Sequence, residues 1–384
     1  MLKHLFKLIW KKKKSSALMM LEIFVSFLIL FAVSTLAVYN ITNYSNPSGI
    51  KSENVWAVYF NFNTESDSLR LIYKDLVKQK LKNYKEVESF SFVSNNIPFS
   101  FSTSNWSFTN KGKKVICDVV NVEPEFQQIL GIEVTEGRWF TKADFVSKNT
   151  PVVISRKAEE ELFGNEKAIG KLIGEEKKYL VIGIVDSYKH TSDFQELSPT
   201  VFQPSEKWDS NMILRVKPQT DADFENKMTK ELVSLGKDWS VEVQQLESMR
   251  ESKNKFVLIP ILVLFIISGF LIFNVTLGLF GVLFQTISQR KQEIGIRRAI
   301  GANQNHILRH FIGETAVIAT FGVVLGLFFA IQFPLLNVFD LSGKTYILGI
   351  LLAVIFIYVL VVICAFLPSK QASQIYPAMA LHEG

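Results

Sequence analysis

Few residues of this 384-residue sequence have the types and spacing that catalysis or metal binding requires. His306 and His310 are four residues apart in a predicted helix, a spacing at which two imidazoles can bind one zinc ion. Residue 307 is isoleucine, so the general-base glutamate of zinc proteases is missing, and we expect a pair of surface histidines. Two cysteines, Cys117 and Cys364, are too few for a four-cysteine zinc site or a disulfide scaffold. The sequence therefore predicts no metal site.

Nucleophilic catalysis and nucleotide hydrolysis also lack support. The long region between the first two apolar stretches has one histidine, His190, and no motif that would join it to a serine and an aspartate. Residues 343–345 read Gly-Lys-Thr, but Val338 replaces the first glycine of a Walker A loop. After Gly170 and Lys171 the required serine or threonine is missing. We therefore expect a chain that is not an enzyme and has no cofactor of its own.

Apolar residues are concentrated in four stretches, each long enough to cross a bilayer, which takes roughly 20 residues. The first is preceded by four lysines, is too long for a signal peptide and lacks a cleavage site, so we interpret it as an anchor. The second has 29 residues and no charge. The four predicted transmembrane helices are 17–39, 256–284, 312–333 and 346–367.

The distribution of basic residues predicts how the chain crosses the membrane. The net charge of +6 comes from the apolar ends, chiefly from the N-terminal tail 1–16 and the loop 285–311. Basic residues of short loops stay in the cytoplasm, so we place these two segments and the tail 368–384 there. The region 40–255 is then extracytoplasmic, and since it has no basic excess it gives no support for a nucleic-acid partner.

In the N-terminal tail, apolar residues at helical spacing are interspersed with lysines. This pattern favours a short amphipathic helix that binds lipid at the inner leaflet; a frayed basic tail is the alternative. The apolar positions are Leu2, Leu5, Phe6, Ile9 and Trp10.

The extracytoplasmic region predicts an α+β domain. Residue periodicity indicates a strand, a helix and a strand near each of its ends, at about 50–95 and 208–245. We expect these βαβ-like halves to form one subdomain that brackets a β-rich insert. The predicted fold class is an α-helical membrane protein with four transmembrane helices and a large α+β extracytoplasmic domain.

Within the spans, the pattern favours helix packing over ion transport, because no ionisable residue stands near their middle. Gly322, Gly326 and Ala330 follow one another at four-residue steps and form a small-residue face, suited to packing within one subunit or between subunits. The second span, with the helix-forming segment 244–255 before it and a kink at Pro260, would be longer than the bilayer is thick. It could connect the outer domain mechanically to the membrane.

The most informative segment is 289–302, which reads QRKQEIGIRRAIGA. It predicts a short cationic helix that ends at Gly301, followed by Asn303 as the N-cap of the next helix. Such a helix could act as a lever that binds an acidic groove of a partner protein. Binding of lipid headgroups by the same arginines is the alternative.

The full string R-K-x-E-I-G-I-R-R-A-I-G-A, followed by I-x-x-x-F-x-x-E, resembles the conserved loop of FtsX/MacB-type ABC transporter permeases. Residues 377–381 resemble the usual ending of that family. Segments 122–144, 151–171 and 179–187 are similar to the MacB-type periplasmic core domain and occur in the same order. The loop residues that match are Glu293, Ile294, Gly295, Arg297, Ala299, Gly301, Ala302, Ile307, Phe311 and Glu314.

The resemblance implies a dimeric permease, formed with a second copy or a sister permease, whose outer domain has a Porter part and an inserted Sabre part. An ABC ATPase would bind beneath the loop and would hold ATP and Mg²⁺. Since the chain starts 16 residues before its first span, we expect the ATPase to be a separate polypeptide. The expected ATPase-coupling residues are Glu293, Ile294, Gly295, Arg297, Arg298, Gly301 and Ala302.

We therefore expect a permease of the bacterial inner membrane, with both termini cytoplasmic, that transmits ATP-driven motion to its periplasmic domains. Export of a peptide, toxin or antibiotic, with a periplasmic adaptor and an outer-membrane duct, is the favoured role. Lipoprotein release and control of a cell-wall hydrolase use the same architecture and stay open as alternatives. A membrane receptor is the remaining alternative, for which the sequence offers no signalling domain.

Overall fold

The structure is a computed structural model that describes residues 13–61, 67–94, 96–175, 177–205, 211–236 and 239–374. Its contacts divide the chain into a transmembrane unit, residues 1–42 and 259–384, and a sheet unit, residues 43–258. The apolar positions of the predicted amphipathic tail and the family-like ending 377–381 lie outside the described residues.

The helices follow the predicted pattern of long apolar and short amphipathic segments. They are α1 (Lys13–Ser45), α2 (Asp67–Lys82), α3 (Phe126–Leu130), α4 (Arg156–Phe163), α5 (Ala222–Val233), α6 (Leu246–Ser288), α7 (Lys291–Ala299), α8 (Gln304–Ala330), α9 (Gln332–Leu335) and α10 (Gly343–Ser373). Two 3₁₀ turns lie at Lys142–Val146 and Val338–Asp340.

The strands all belong to the sheet unit. They are β1 (Val55–Asn61), β2 (Val87–Val93), β3 (Asn105–Asn110), β4 (Lys113–Val122), β5 (Val134–Gly137), β6 (Thr150–Ser155), β7 (Leu172–Ile173), β8 (Tyr179–Val185), β9 (Thr200–Pro204), β10 (Asn211–Val216) and β11 (Ser240–Gln245).

Four of the helices, α1, α6, α8 and α10, are long and apolar enough to cross a membrane. α1, α6 and α10 contain the stretches predicted from the sequence, whereas α8 ends at Ala330, within the predicted stretch 312–333. The sheet unit is α+β, so the predicted fold class is confirmed. α6 is the longest, with 43 residues, and it continues through Pro260. No residue of its most apolar stretch is buried within the described chain.

Glycines allow α1 and α8 to pack closely in the transmembrane unit. A Cβ atom at Gly322 would lie 2.9 Å from Cγ2 of Ile23, and one at Gly326 would overlap the ring of Phe27. Ala330, four residues further along α8, is fully buried. The small-residue face, which the sequence left open between two kinds of packing, therefore packs against α1 of the same chain.

The change Gly326→Ala is expected to destabilise the transmembrane unit by about 1–3 kcal/mol, because the added methyl group has no space beside Phe27. Gly313→Ala on the same helix is the matched control, since a Cβ atom there meets no described atom within 4 Å. Thermal unfolding in nanodiscs measures the difference. Equal midpoints for the two variants would contradict the close approach of α1 and α8.

In the sheet unit, the described residues form an eleven-stranded sheet with the order β11-β1-β10-β2-β4-β9-β6-β8-β5; β3 pairs with β4, and β7 with β8. The strands of the two predicted βαβ-like halves are adjacent, but they alternate. β10 lies between β1 and β2 and is antiparallel to both. Residues of α2 and α5 pack with these strands in one apolar core, which includes Val77, Leu81, Phe92, Phe224 and Met228. Each half is therefore completed by strands of the other.

The insert between β2 and β10 joins this sheet at one residue pair, Val93 with Val122. Parallel pairing of β4 with β9 and of β6 with β8 extends the sheet beyond that point. α4 packs against the insert strands in a separate core that includes Ile154, Ala158 and Leu162. The insert thus has its own apolar core although the sheet is continuous.

Candidate functional site

The helix α7 contains most of the residues that the sequence predicts for coupling, and it is anchored by an apolar cluster. Ile294 is 1% exposed and packs with Ile287 of α6 and with Ile307 and Phe311 of α8. Gly295 is buried as well. These two residues therefore fix α7 to its neighbouring helices. Because they are buried, any role that they have in coupling is to hold α7 in place.

A buried ion pair holds the start of α7. Arg290, 6% exposed, donates from Nη1 to Oε2 of Glu314 at 2.6 Å, and its guanidinium lies 5.8 Å from the ring centre of Phe311. Its Nε is also 3.7 Å from Oε2 of Glu293. In the sequence Glu314 is only part of the family-like string, and the structure identifies Arg290 as its partner.

The three charged residues predicted for coupling are restricted by an ion pair and by partial burial. Arg297 donates from Nη2 to Oε1 of Glu293 at 2.6 Å, one helical turn away. Arg298 is half-buried, and its Nε has no hydrogen-bond partner among the described residues. The positive charge of α7 is therefore partly neutralised within the helix itself.

The end of α7 has the backbone pattern of a Schellman motif. The amide of Ala302 donates to the carbonyl of Arg297 at 3.0 Å, and that of Gly301 donates to Arg298 at 3.1 Å. Gly301 has a φ of +97°, which only glycine adopts at low cost. Asn303 occupies the N-cap position of α8 as expected, but its side chain accepts no capping hydrogen bond.

The outward face of α7 is apolar. Ile296 is 50% exposed and Ile300 is 79% exposed, and the neighbouring Gln292 and Ala299 are exposed as well. Isoleucines four residues apart lie on one face of a helix, so the two side chains form a single patch. This patch could not be predicted from the sequence, because nothing local distinguishes Ile296 and Ile300 from the buried Ile294 until the packing of α7 is known.

A second polar cluster lies in the sheet unit, in the loop 186–199 between β8 and β9. The carboxylate of Asp193 accepts hydrogen bonds from Nε and Nη2 of Arg250, both at 2.9 Å, and from Nδ2 of Asn254 at 2.6 Å. The amide of Asp193 donates to Oδ1 of Asn254 at 3.0 Å. Asp193 therefore binds the first turns of α6 through both its carboxylate and its backbone amide.

The same loop binds the end of α1 through Lys189, which is 2% exposed. Its ammonium donates to the carbonyl oxygens of Asn43, Asn46 and Asp193. A cation at the C-terminal end of a helix interacts favourably with the helix dipole. We refer to residues 189–193, which bind both helices, as the 189–193 clamp.

Burial affects the two charges of the clamp in opposite ways. It lowers the pKa of Lys189 by disfavouring the ammonium form. Burial alone would raise the pKa of Asp193, but the hydrogen bonds from Arg250 and Asn254 outweigh it, so the pKa is held below its usual value. The clamp could not be predicted from the sequence, because Lys189, Asp193 and Arg250 belong to no motif.

Two family models match this chain, and together they cover most of both units. Residues 16–231 match the family model of the MacB-like periplasmic core domain, and residues 265–377 match that of the FtsX-like permease C-terminal region. The chain belongs to the MacB/FtsX-type family of ABC transporter permeases. With its four membrane helices, this permease is a multi-pass membrane protein.

The permease is similar to several known proteins over much of its length. It is 25% identical over 288 residues to the uncharacterized ABC transporter permease YvrN of Bacillus subtilis, covering 68% of this chain and 69% of YvrN. It is 24% identical over 293 residues to the macrolide export ATP-binding/permease protein MacB of Pasteurella multocida, covering 71% of this chain and 44% of MacB. The permease thus spans less than half the length of that relative.

A solved structure also aligns with the permease. The periplasmic region of MacB from Actinobacillus actinomycetemcomitans gives a TM-score of 0.39 at 14% identity, covering 55% of this chain and 97% of that region.

Proposed function

We propose that this permease receives the motion of a cytoplasmic ABC ATPase through α7 and transmits it to its sheet unit. The observation on which this proposal rests is the exposed patch of Ile296 and Ile300. The other side of the same helix packs in an apolar cluster, and its start is held by a buried ion pair. An exposed apolar patch beside arginines is typical of a site that binds another protein. The rigid attachment to α6 and α8 suits a lever, because it would move both helices together.

The 189–193 clamp supports the proposed transmission of motion to the sheet unit. It joins the end of α1 and the start of α6 to the loop between β8 and β9 by hydrogen bonds from charged groups. Such bonds are stronger than neutral ones, so a movement of either helix end would be passed to the sheet. Coupling by rigid-body motion needs no polar path through the bilayer, in agreement with spans that lack ionisable groups near their middle.

The proposed role is export of a peptide, toxin or antibiotic from the periplasm. Relatives named for macrolide export and for pyoverdine export support this choice. In this proposal the permease lies in the bacterial inner membrane with cytoplasmic termini and functions with a second permease copy. The ATPase, which binds ATP and Mg²⁺, is a separate polypeptide, and a periplasmic adaptor and an outer-membrane duct complete the path.

Affinity purification of the tagged permease from its native membranes tests the proposal. We expect an ABC ATPase to co-elute, and we expect the complex in nanodiscs to hydrolyse ATP faster than the ATPase alone. Elution of the permease without an ATPase, even after crosslinking in the cells, would contradict the proposed function.

A further inference from the structure

An exposed aromatic residue of the sheet unit lies against the start of the second apolar stretch. Phe101, in the loop between β2 and β3, is 73% exposed. Its ring is 6.0 Å from that of Phe256 on α6, centre to centre, at an angle of 89°. The ammonium of Lys253, one helical turn earlier, lies 3.6 Å from the centre of the Phe101 ring.

Phe256 lies at the point where α6 changes from a polar to an apolar sequence. The helix is polar and charged up to Lys255, and Phe256 is the first residue of the 29-residue stretch without charge. Phe256 is itself 67% exposed. Trp and Tyr are enriched at the level where a membrane helix passes from the headgroups into the hydrocarbon, and Phe is among the residues that bind at the boundary between headgroups and acyl chains. Phe101 therefore lies at the level where α6 begins to be suited to lipid.

A similar contact is found at the end of α1. Tyr44, 61% exposed, stacks on Phe194 with ring centres 5.1 Å apart. Tyr44 lies in the last turn of α1, a few residues after its apolar stretch, and Phe194 directly follows the clamp residue Asp193. Two loops of the sheet unit thus place an aromatic ring against the end of a membrane helix.

We infer that the loop containing Phe101 binds the surface of the lipid bilayer, with Phe101 in the headgroup region and Phe194 at the same level beside α1. The lipid is favoured as the partner because the Phe101 surface is continuous with the apolar surface of a membrane helix. The cation of Lys253 lies against the ring, and the Phe101 side chain is 73% exposed all the same. This contact does not depend on the proposed ATPase.

A fluorescent label at residue 101 tests the inference in the full-length permease. The variant Phe101→Cys is labelled with an environment-sensitive fluorophore and reconstituted in nanodiscs whose lipids have a nitroxide quencher near the headgroup. Trp106→Cys is the matched control, because Trp106 is equally exposed, at 71%, but lies on β3. It is made together with Cys117→Ser, since Cys117 is the cross-strand neighbour of residue 106 and could form a disulfide with the new thiol. The native Cys117 and Cys364 are buried, and the labelled unsubstituted chain gives their background.

We expect blue-shifted emission at residue 101 that the lipid nitroxide quenches strongly, and red-shifted emission at residue 106 that it leaves unchanged. Equal and weak quenching at both positions would overturn the inference. A disulfide that joins position 101 of two copies of the Phe101→Cys variant, together with unquenched emission, would also overturn it and would assign this surface to a second copy of the chain.

Discussion

The double change Ile296→Glu and Ile300→Glu is expected to release the ABC ATPase from the permease. Both side chains are exposed in the described chain, so the substitutions should leave the fold of α7 intact. In a protein interface the same positions would become buried, and each glutamate would lose its hydration without gaining a partner. Loss of a central contact residue costs about 2 kcal/mol or more, which is roughly a thirty-fold loss of affinity.

Co-purification and permease-stimulated ATP hydrolysis measure this effect. Asn305→Glu is the control, because Asn305 is exposed in the first turn of α8 and the substitution places one of the two added negative charges outside the patch. The control should keep the ATPase bound, and both proteins should unfold at the same temperature as the unchanged permease. Retention of a fully active ATPase by the double variant would show that the patch of α7 is not the coupling surface.

The change Asp193→Ala is expected to separate ATP hydrolysis from transport. The substitution removes the carboxylate that accepts hydrogen bonds from Arg250 and Asn254. Arg250, whose side chain is 32% exposed, then lacks this ion-pair partner. Removing one partner of a buried ion pair costs about 3–5 kcal/mol, and partial exposure of Arg250 reduces this to about 2 kcal/mol. The ATPase should remain bound, because α7 is unchanged, while export by the complex should be lost.

Asp186→Ala is the matched control for this prediction. Asp186 pairs with Arg156, is 53% exposed, and shares Arg156 with Glu136 and Glu159, so its removal should cost about 1 kcal/mol or less. Denaturant unfolding compares the two variants, and an export assay in cells tests the coupling. Normal export by Asp193→Ala would contradict a mechanical role of the 189–193 clamp.

The clamp also predicts a dependence of stability on pH. Because the pKa of Asp193 is lower in the folded chain than the ordinary value of about 3.9, Asp193 stabilises the fold above that value. This contribution is lost as the pH falls from about 4 through the folded pKa. The stability difference between the unchanged permease and Asp193→Ala should therefore shrink at acidic pH.

The sequence predicted the larger features of the permease well, because they depend on composition and local pattern. The four membrane helices were predicted because their long apolar stretches are suited to lipid and not to water. The short helix α7 was predicted from its charges and from Gly301. The family follows from the string around Glu293 and Gly295, which has a length and specificity that chance does not explain. These features are local in the chain, and their prediction needed no knowledge of packing.

Other features were decided by contacts between distant residues. Ile294 is buried and Ile300 is exposed because α6 and α8 cover one side of α7, which no local pattern encodes. The interleaving of β10 between β1 and β2 joins segments more than a hundred residues apart. The small-residue face of Gly326 had two possible partners in the sequence, and the packing selected Phe27 of α1.

The sequence by itself therefore predicted a membrane protein with four apolar spans, an α+β domain and a short cationic helix between the second and third spans. Only the tertiary structure decided which side of that helix is available to a partner, and that the loop of Lys189 and Asp193 joins the ends of α1 and α6. The physical reason is that hydrophobicity and charge act residue by residue along the chain. Burial and ion pairing depend on which side chains the fold brings together.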